Sequence, residues 1–312
     1  MSYKNKLCTV LVCFIALLLL AGLGAFKPKA ANGGQGGSGA NEKNSQNDGD
    51  VGSVTKSTKT VKRLGGVSSR MPENSALVFF GSTFGMKLSS YKGYKNYDEA
   101  LFSLASGESD AIWACDVTAD FLVKTRQGLV KADYEGMADI QKTAEPRFSF
   151  GMALKKDSGK ELKSLIDSCL EDMKSDGTLD ALILKYVDNA EVFENEAGSK
   201  NRFYPDKMRK TAGNGTIKVG ITGAVPPLEL LDEDMEPYGF CVAMMDEIGS
   251  RTGKKVKFVY LDNETAFTSL MGETVDLLFT YGTGYVTTEA KPEHIMTDGY
   301  LDMQRYELIQ MR

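Results

Sequence analysis

Thr216–Tyr260 reads TIKVGITGAVPPLELLDEDMEPYGFCVAMMDEIGSRTGKKVKFVY, and the rest of the chain is understood by what it adds to this unit. Ile217, Val219 and Ile221 alternate with smaller or polar residues, the period-two pattern of a strand, until Gly223 and Pro226-Pro227 forbid its continuation. Asp232, Asp234 and Pro237 make a polar turn. Val242, Met245 and Ile248 then fall at helical spacing, and Gly253 stands where a helix-terminating glycine belongs. Val256, Phe258 and Tyr260 alternate again. Two strands joined by one helix in so short a span predict a parallel βαβ crossover, with the Pro-Pro loop at the carboxyl ends of its strands. In open α/β sheets that edge is where small ligands bind.

Composition narrows the function classes. The chain has 312 residues and a formal net charge of −5, with Lys and Arg interspersed among Asp and Glu rather than gathered in a stripe. That balance argues against a nucleic-acid partner. Five cysteines form no framework: Cys8 and Cys13 lie in an N-terminal apolar run, and Cys115, Cys169 and Cys241 are isolated, reading as buried free thiols. The single histidine, His294, has no nearby His or Cys partner, so neither metal-ligand spacing nor a nucleophile–base pair is visible. No cofactor or metal is expected, and no enzyme activity.

Outward from the opening unit, the N-terminus carries Lys4 and Lys6 before an uncharged apolar run from Leu7 to Phe26. Residues 1–31 are read as a signal peptide or membrane anchor, which puts everything after them outside the cytoplasm, secreted or membrane-anchored. Residues 32–70 are read as a flexible linker: Asn32 to about Thr60 is Gly, Ser, Asn, Gln, Lys and Asp with almost nothing to bury. Folded sequence is expected from about Met71, with a strand over Ala76–Phe80 ending in Gly81-Ser82-Thr83. A helix over Asp98–Ser106 leads through Gly107 into a strand over Ala111–Cys115, and a second helix, Val117 to Thr125, follows Asp116. Phe148–Leu154 reads as a strand, and Leu162, Leu165, Ile166, Cys169, Leu170 and Met173 mark one face of a helix that Asp176-Gly177 breaks. Residues 191–215 are polar, a connector. After the opening unit come a helix over Thr265–Met271 and a strand over Val275–Thr280. One internal echo links the halves: Leu104 to Asp110 and Leu270 to Asp276 each place a helix end, a Gly-Glu turn and an Asp before an apolar strand.

Three runs resemble a known family. Strand, "PPLEL", acidic turn and "PYGFCVAMMDEIGSRTGKKVKFV" is similar to the opening of the first lobe of bacterial extracellular solute-binding family 3, the amino-acid-type periplasmic binding proteins. "YKNYDEALFSLASGESDAIWACDVTADFL" resembles the family's second lobe, and "FGMALKKDSGKELKSLIDSCLEDMKSDGTLDALILKYV" its closing segment. The resemblance implies a type II periplasmic-binding-protein-like α/β fold of two lobes: 71–190 as second lobe plus closing helices and 216–312 as first lobe. The family runs first lobe, second lobe, closing helices. The order here is therefore expected to be circularly permuted, with a piece of a tandem of two binding domains as the rival.

The implied function is extracytoplasmic binding of a small polar solute, amino-acid-like or amine-bearing, for an ABC importer whose permease is the implied partner. A ligand-sensing region of a membrane receptor is the alternative, and a dehydratase-like enzyme using Glu229 or His294 a remoter one. The ligand is expected between Pro227, Leu228, Tyr281, Gly282, Thr283 and Thr288 on one lobe and Ser82, Thr83 and Asp116 on the other. The resemblance places Asp116 at the ligand amine, and its other reading is the N-cap of the following helix. The family's Thr-x-x-Arg, whose guanidinium forks onto a ligand carboxylate, is not matched: Ala290 stands at the arginine, Lys291 beside it, and no arginine lies between Arg251 and Arg305.

Overall fold

The computed structural model describes residues 60–67, 73–132, 148–190, 202–213, 215–282, 293–303 and 306–312. The N-terminal apolar run, the Gly/Ser-rich stretch to residue 59, Thr283, Thr288, Ala290 and Lys291 lie outside them. Among the described residues no helix is long and apolar enough to cross a membrane.

Two sheets share one topology. The first orders its strands β2-β1-β3-β13-β4, from Arg63–Val67 (β1), Ser90–Tyr94 (β2), Ala111–Cys115 (β3), Leu129–Ala132 (β4) and Tyr306–Met311 (β13). The second orders β11-β5-β10-β6-β9, from Phe148–Lys155 (β5), Thr216–Ile221 (β6), Lys255–Tyr260 (β9), Leu277–Gly282 (β10) and His294–Met296 (β11), with Leu301–Met303 (β12) also on β5. In each, three strands run parallel and a fourth enters antiparallel from the other half of the chain: β13 lies between β3 and β4, and β5 between β10 and β11. Each lobe thus needs a strand supplied by the other half, and the 216–312 boundary expected for one lobe is crossed by β13.

The internal echo is physically the same device twice. Asp110 accepts from the Lys62 and Arg63 amides at 3.0 and 2.8 Å, and Asp276 accepts from the Lys218 amide at 2.7 Å. Each carboxylate thereby fixes the start of an interior strand beside it, by accepting from backbone amides there.

Helix α1 (Glu73–Phe84) joins β1 to β2, and α2 (Tyr97–Ala105) and α3 (Asp116–Thr125) follow β2 and β3. Helices α4 (Lys160–Ser175) and α5 (Thr178–Ile183), continued by a π-turn over Leu184–Asp188, pack on the second sheet: Ile166, Leu170, Met173 and Leu179 share one core with Ile217, Val219 and Phe240. The opening unit forms as its pattern dictates, with α6 (Phe240–Thr252) between β6 and β9, which pair in parallel, and Gly253 left-handed at φ 69°. Its acidic turn is a small hairpin, β7 (Leu230–Leu231) against β8 (Pro237–Tyr238). Helix α7 (Ala266–Met271) precedes β10.

One expectation is overturned. Ala76–Phe80 lies in helix α1, and the first strand, Arg63–Val67, falls inside the stretch read as linker. The strand RLGGV carries two glycines because both its faces are occupied. A Cβ on Gly65 would stand 2.6 Å from Ile112 Cδ1, and one on Gly66 2.0 Å from Trp113 Nε1. ALVFF is helical because two parallel neighbours, β1 and β2, require a crossover, and α1 buries Ala76, Phe80 and Phe84 in making it.

Candidate functional site

The parallel strands of each lobe end at one edge, and the two edges meet. On the second sheet β6 gives way at Ile221 to the loop 222–229, braced by Glu229, which is 2% exposed. Its Oε2 accepts from the Thr222 amide at 2.8 Å, the Thr222 hydroxyl at 3.1 Å and the Gly223 amide at 2.9 Å, while Oε1 accepts from the Thr280 amide at 3.0 Å. Burial pushes this carboxyl above its ordinary range, against the pull of the four donors. The Tyr300 hydroxyl continues the network, donating to Thr280 Oγ1 at 3.1 Å and Phe279 O at 3.3 Å, and burial raises it well above a phenol's usual value. Glu229 therefore ties the ends of β6 and β10 together; it is a brace for the loop, whereas the sequence offered it as a candidate acid or base.

On the first sheet β3 ends at Cys115 and α3 begins at Asp116. Cys115 occupies the N-cap, without a side-chain cap bond, so Asp116 is the first helical residue rather than the cap. Its carboxylate accepts from the Val117 amide at 2.9 Å and is 8% exposed. The Cys115 thiol donates to Thr118 Oγ1 at 3.2 Å, and burial pushes it up to about 11. Thr118 is the residue that sequence reasoning missed. Its hydroxyl donates to Pro226 O at 2.6 Å, joining the N-terminus of α3 to the Pro-Pro loop across 108 residues of sequence. At the rim, Asn263 Nδ2 donates to Lys95 O at 3.4 Å.

The expected residues divide accordingly. Asp116 and the Pro226-Pro227 loop are brought to facing edges, and Pro227 is buried there. Leu228 turns inward, 0% exposed in the core beneath the second sheet, and lines no surface. Tyr281 packs its ring on His294, centroids 5.1 Å apart, and His294 also meets Phe267 edge-on at 5.5 Å. His294 is a buried strand residue at 8% exposure. Gly282 pairs with Phe150 at the end of β10. Ser82 and Thr83 do not reach the site. They fall in the last turn of α1, and a helix crossing back between parallel strands ends at the opposite edge of the sheet from their carboxyl ends. Ser82 Oγ donates instead to Val78 O at 2.7 Å.

A pair of sheets with this strand order, exchanging one antiparallel strand and facing each other at their carboxyl edges, defines a two-lobed, type II periplasmic-binding-protein-like α/β fold. Residues 217–304 match the model of bacterial extracellular solute-binding proteins, family 3, under a third of the chain and most of the second sheet. No curated protein sequence matches. Among solved structures, the chain is similar to the ligand-binding component of an ABC-type import system from Staphylococcus aureus with zinc bound, at 8% identity and a TM-score of 0.37, covering 81% of this chain and 66% of that one. It is similar to an ancestral arginine-binding protein bound to arginine at 13% identity and a TM-score of 0.37, covering 82% and 86%. The periplasmic VFT2 domain of BvgS from Bordetella pertussis aligns at 10% identity and a TM-score of 0.34, covering 80% of each chain. These likenesses are remote, and the two-lobed fold is read from the strand orders.

Proposed function

We propose that the two-lobed body binds a small polar solute between its facing edges, outside the cytoplasm, and delivers it to an ABC importer without chemistry. The observation that supports this best is the juxtaposition at Thr118 and Pro226: it brings the first turn of α3, which begins at Asp116, against the loop at which the interior strand β6 ends. An acidic side chain at that edge suits an amine-bearing or cationic solute. No catalysis is proposed. The contacts of Glu229 are with its own lobe's backbone and hydroxyls, and His294 packs between Phe267 and Tyr281. The second reading, a ligand-sensing region of a receptor, uses the same edges and differs only in what the lobes report to.

The order of the lobes fits a permuted arrangement, which is part of the same proposal: the closing helices α4 and α5 seat on the sheet that follows them in sequence. The test of function is calorimetry on the full chain with polar metabolites, amines and amino acids first. Asp116→Ala is expected to weaken the solute found by about 2 kcal/mol, since a buried ligand charge loses its partner. Unchanged affinity in Asp116→Ala would place the solute elsewhere.

A further inference from the structure

The geometry points to an apolar clasp between the lobes, formed by the β7–β8 hairpin and residues 202–208 against helix α3, that holds them closed in the absence of solute. Phe121 and Leu122 of α3 belong to one continuous apolar cluster with Leu230 and Tyr238 of the hairpin and with Ala190 at the end of the closing helices. Tyr204 packs against the same cluster and meets the Tyr238 ring with centroids 5.6 Å apart. The Arg202 guanidinium lies over the other partner of this pair, 4.4 Å from the Tyr238 centroid.

The segment is fastened at both ends of its course. The Gly239 amide donates to Phe203 O at 3.1 Å, which ties it to the hairpin. Arg209 Nε donates to Asp246 Oδ2 at 2.9 Å, and its guanidinium also pairs with Glu247, which ties it to α6. Helix α3 adds two polar catches along the same contact, Thr118 to Pro226 O at 2.6 Å and Lys124 Nζ to Asp188 O at 3.2 Å. Lobes that swing freely meet through polar surfaces that water can cover. Here opening would expose apolar surface of this cluster to water, and hydrophobic contact between domains opposes their relative motion. Solute entry then waits on release of the clasp, so association is slow.

The test is nitroxide labelling of Lys95→Cys and Glu264→Cys, which flank the rim contact, in the full chain carrying Cys8→Ala and Cys13→Ala; Cys115, Cys169 and Cys241 are buried. Dipolar broadening between the labels is read without solute, so the outcome does not depend on whether a solute binds. The expected result is a broadened spectrum in this parent, with broadening lost in Tyr238→Ser and reduced in Tyr204→Ala, whose half-buried ring is removable without unfolding the core. A narrow spectrum in the solute-free parent overturns the proposal, as does undiminished broadening in a Tyr204→Ala protein shown by its melting transition to be folded.

Discussion

Replacing Gly66 by alanine tests the placement of the first strand. An added Cβ would lie 2.0 Å from Trp113 Nε1 and 2.5 Å from its Cδ1. The indole cannot swing away cheaply: its Nε1 donates to the Tyr91 hydroxyl at 3.2 Å, and its ring is wedged edge-on between Phe80 at 5.6 Å and Tyr306 at 5.3 Å. Overpacking of this kind costs about 1–3 kcal/mol, and a displaced indole leaves its hydrogen bond unmade for about 1 kcal/mol more. At roughly 2–4 °C per kcal/mol for a body of this size, the melting temperature should fall by about 5–15 °C. Trp113 is the chain's one tryptophan, so its emission reports the displacement directly. Circular-dichroism melting of wild type and Gly66→Ala checks the first effect, fluorescence the second. A melting temperature within about 1 °C of wild type and an unmoved emission would refute the strand under Trp113 and restore 32–70 as a linker.

Gly81 lies inside α1, where a Cβ meets nothing closer than Met86 O at 3.6 Å, so Gly81→Ala should stabilise by about 0.5–1 kcal/mol; a lower melting temperature would contradict the helix. Glu229→Gln leaves one acceptor oxygen for donors in the loop and on β10 and should cost about 1–3 kcal/mol. Because burial raises the Glu229 carboxyl, its contribution is fully present below the ordinary carboxylate range and is lost as pH rises through the raised value. The melting-temperature gap between wild type and Glu229→Gln should therefore narrow from pH 4 to pH 8, and a constant gap would speak against a raised carboxyl. The Cys115 thiol, buried and pushed up to about 11, should resist iodoacetamide in the folded chain at pH 8 and react once denaturant is added; rapid native-state alkylation, read by mass spectrometry, would contradict its burial.

What the sequence made legible follows a simple physical division. Val219, Ile221, Val242, Met245 and Phe258 announce strand and helix because their spacing alone decides which face is apolar, and β6, α6 and β9 form there. RLGGV announces nothing: it has one β-branched residue, and its glycines are explained only by Ile112 and Trp113, which arrive from a strand more than forty residues later. ALVFF misled for the complementary reason. A short apolar run fits a buried strand or a buried helix equally, and the choice was made by the parallel pairing of β1 with β2, a tertiary fact.

The site divides in the same way. The Pro-Pro loop is encoded locally, by residues that cannot extend a strand, and it lies at the predicted edge. Asp116 is encoded locally too, as the residue after an apolar strand. What joins them is Thr118, an ordinary helix residue until Pro226 is brought to it from 108 positions away, and no spacing rule reaches that far. Leu228 shows the converse. An apolar residue beside a ligand loop reads as lining, yet the next residue, Glu229, must face inward to serve donors just past β6 and on β10, and the loop that permits this also turns Leu228 into the core. A carboxylate fixed by four donors thus settles the direction of its neighbour, and it does so through contacts that exist only once both strands are in place.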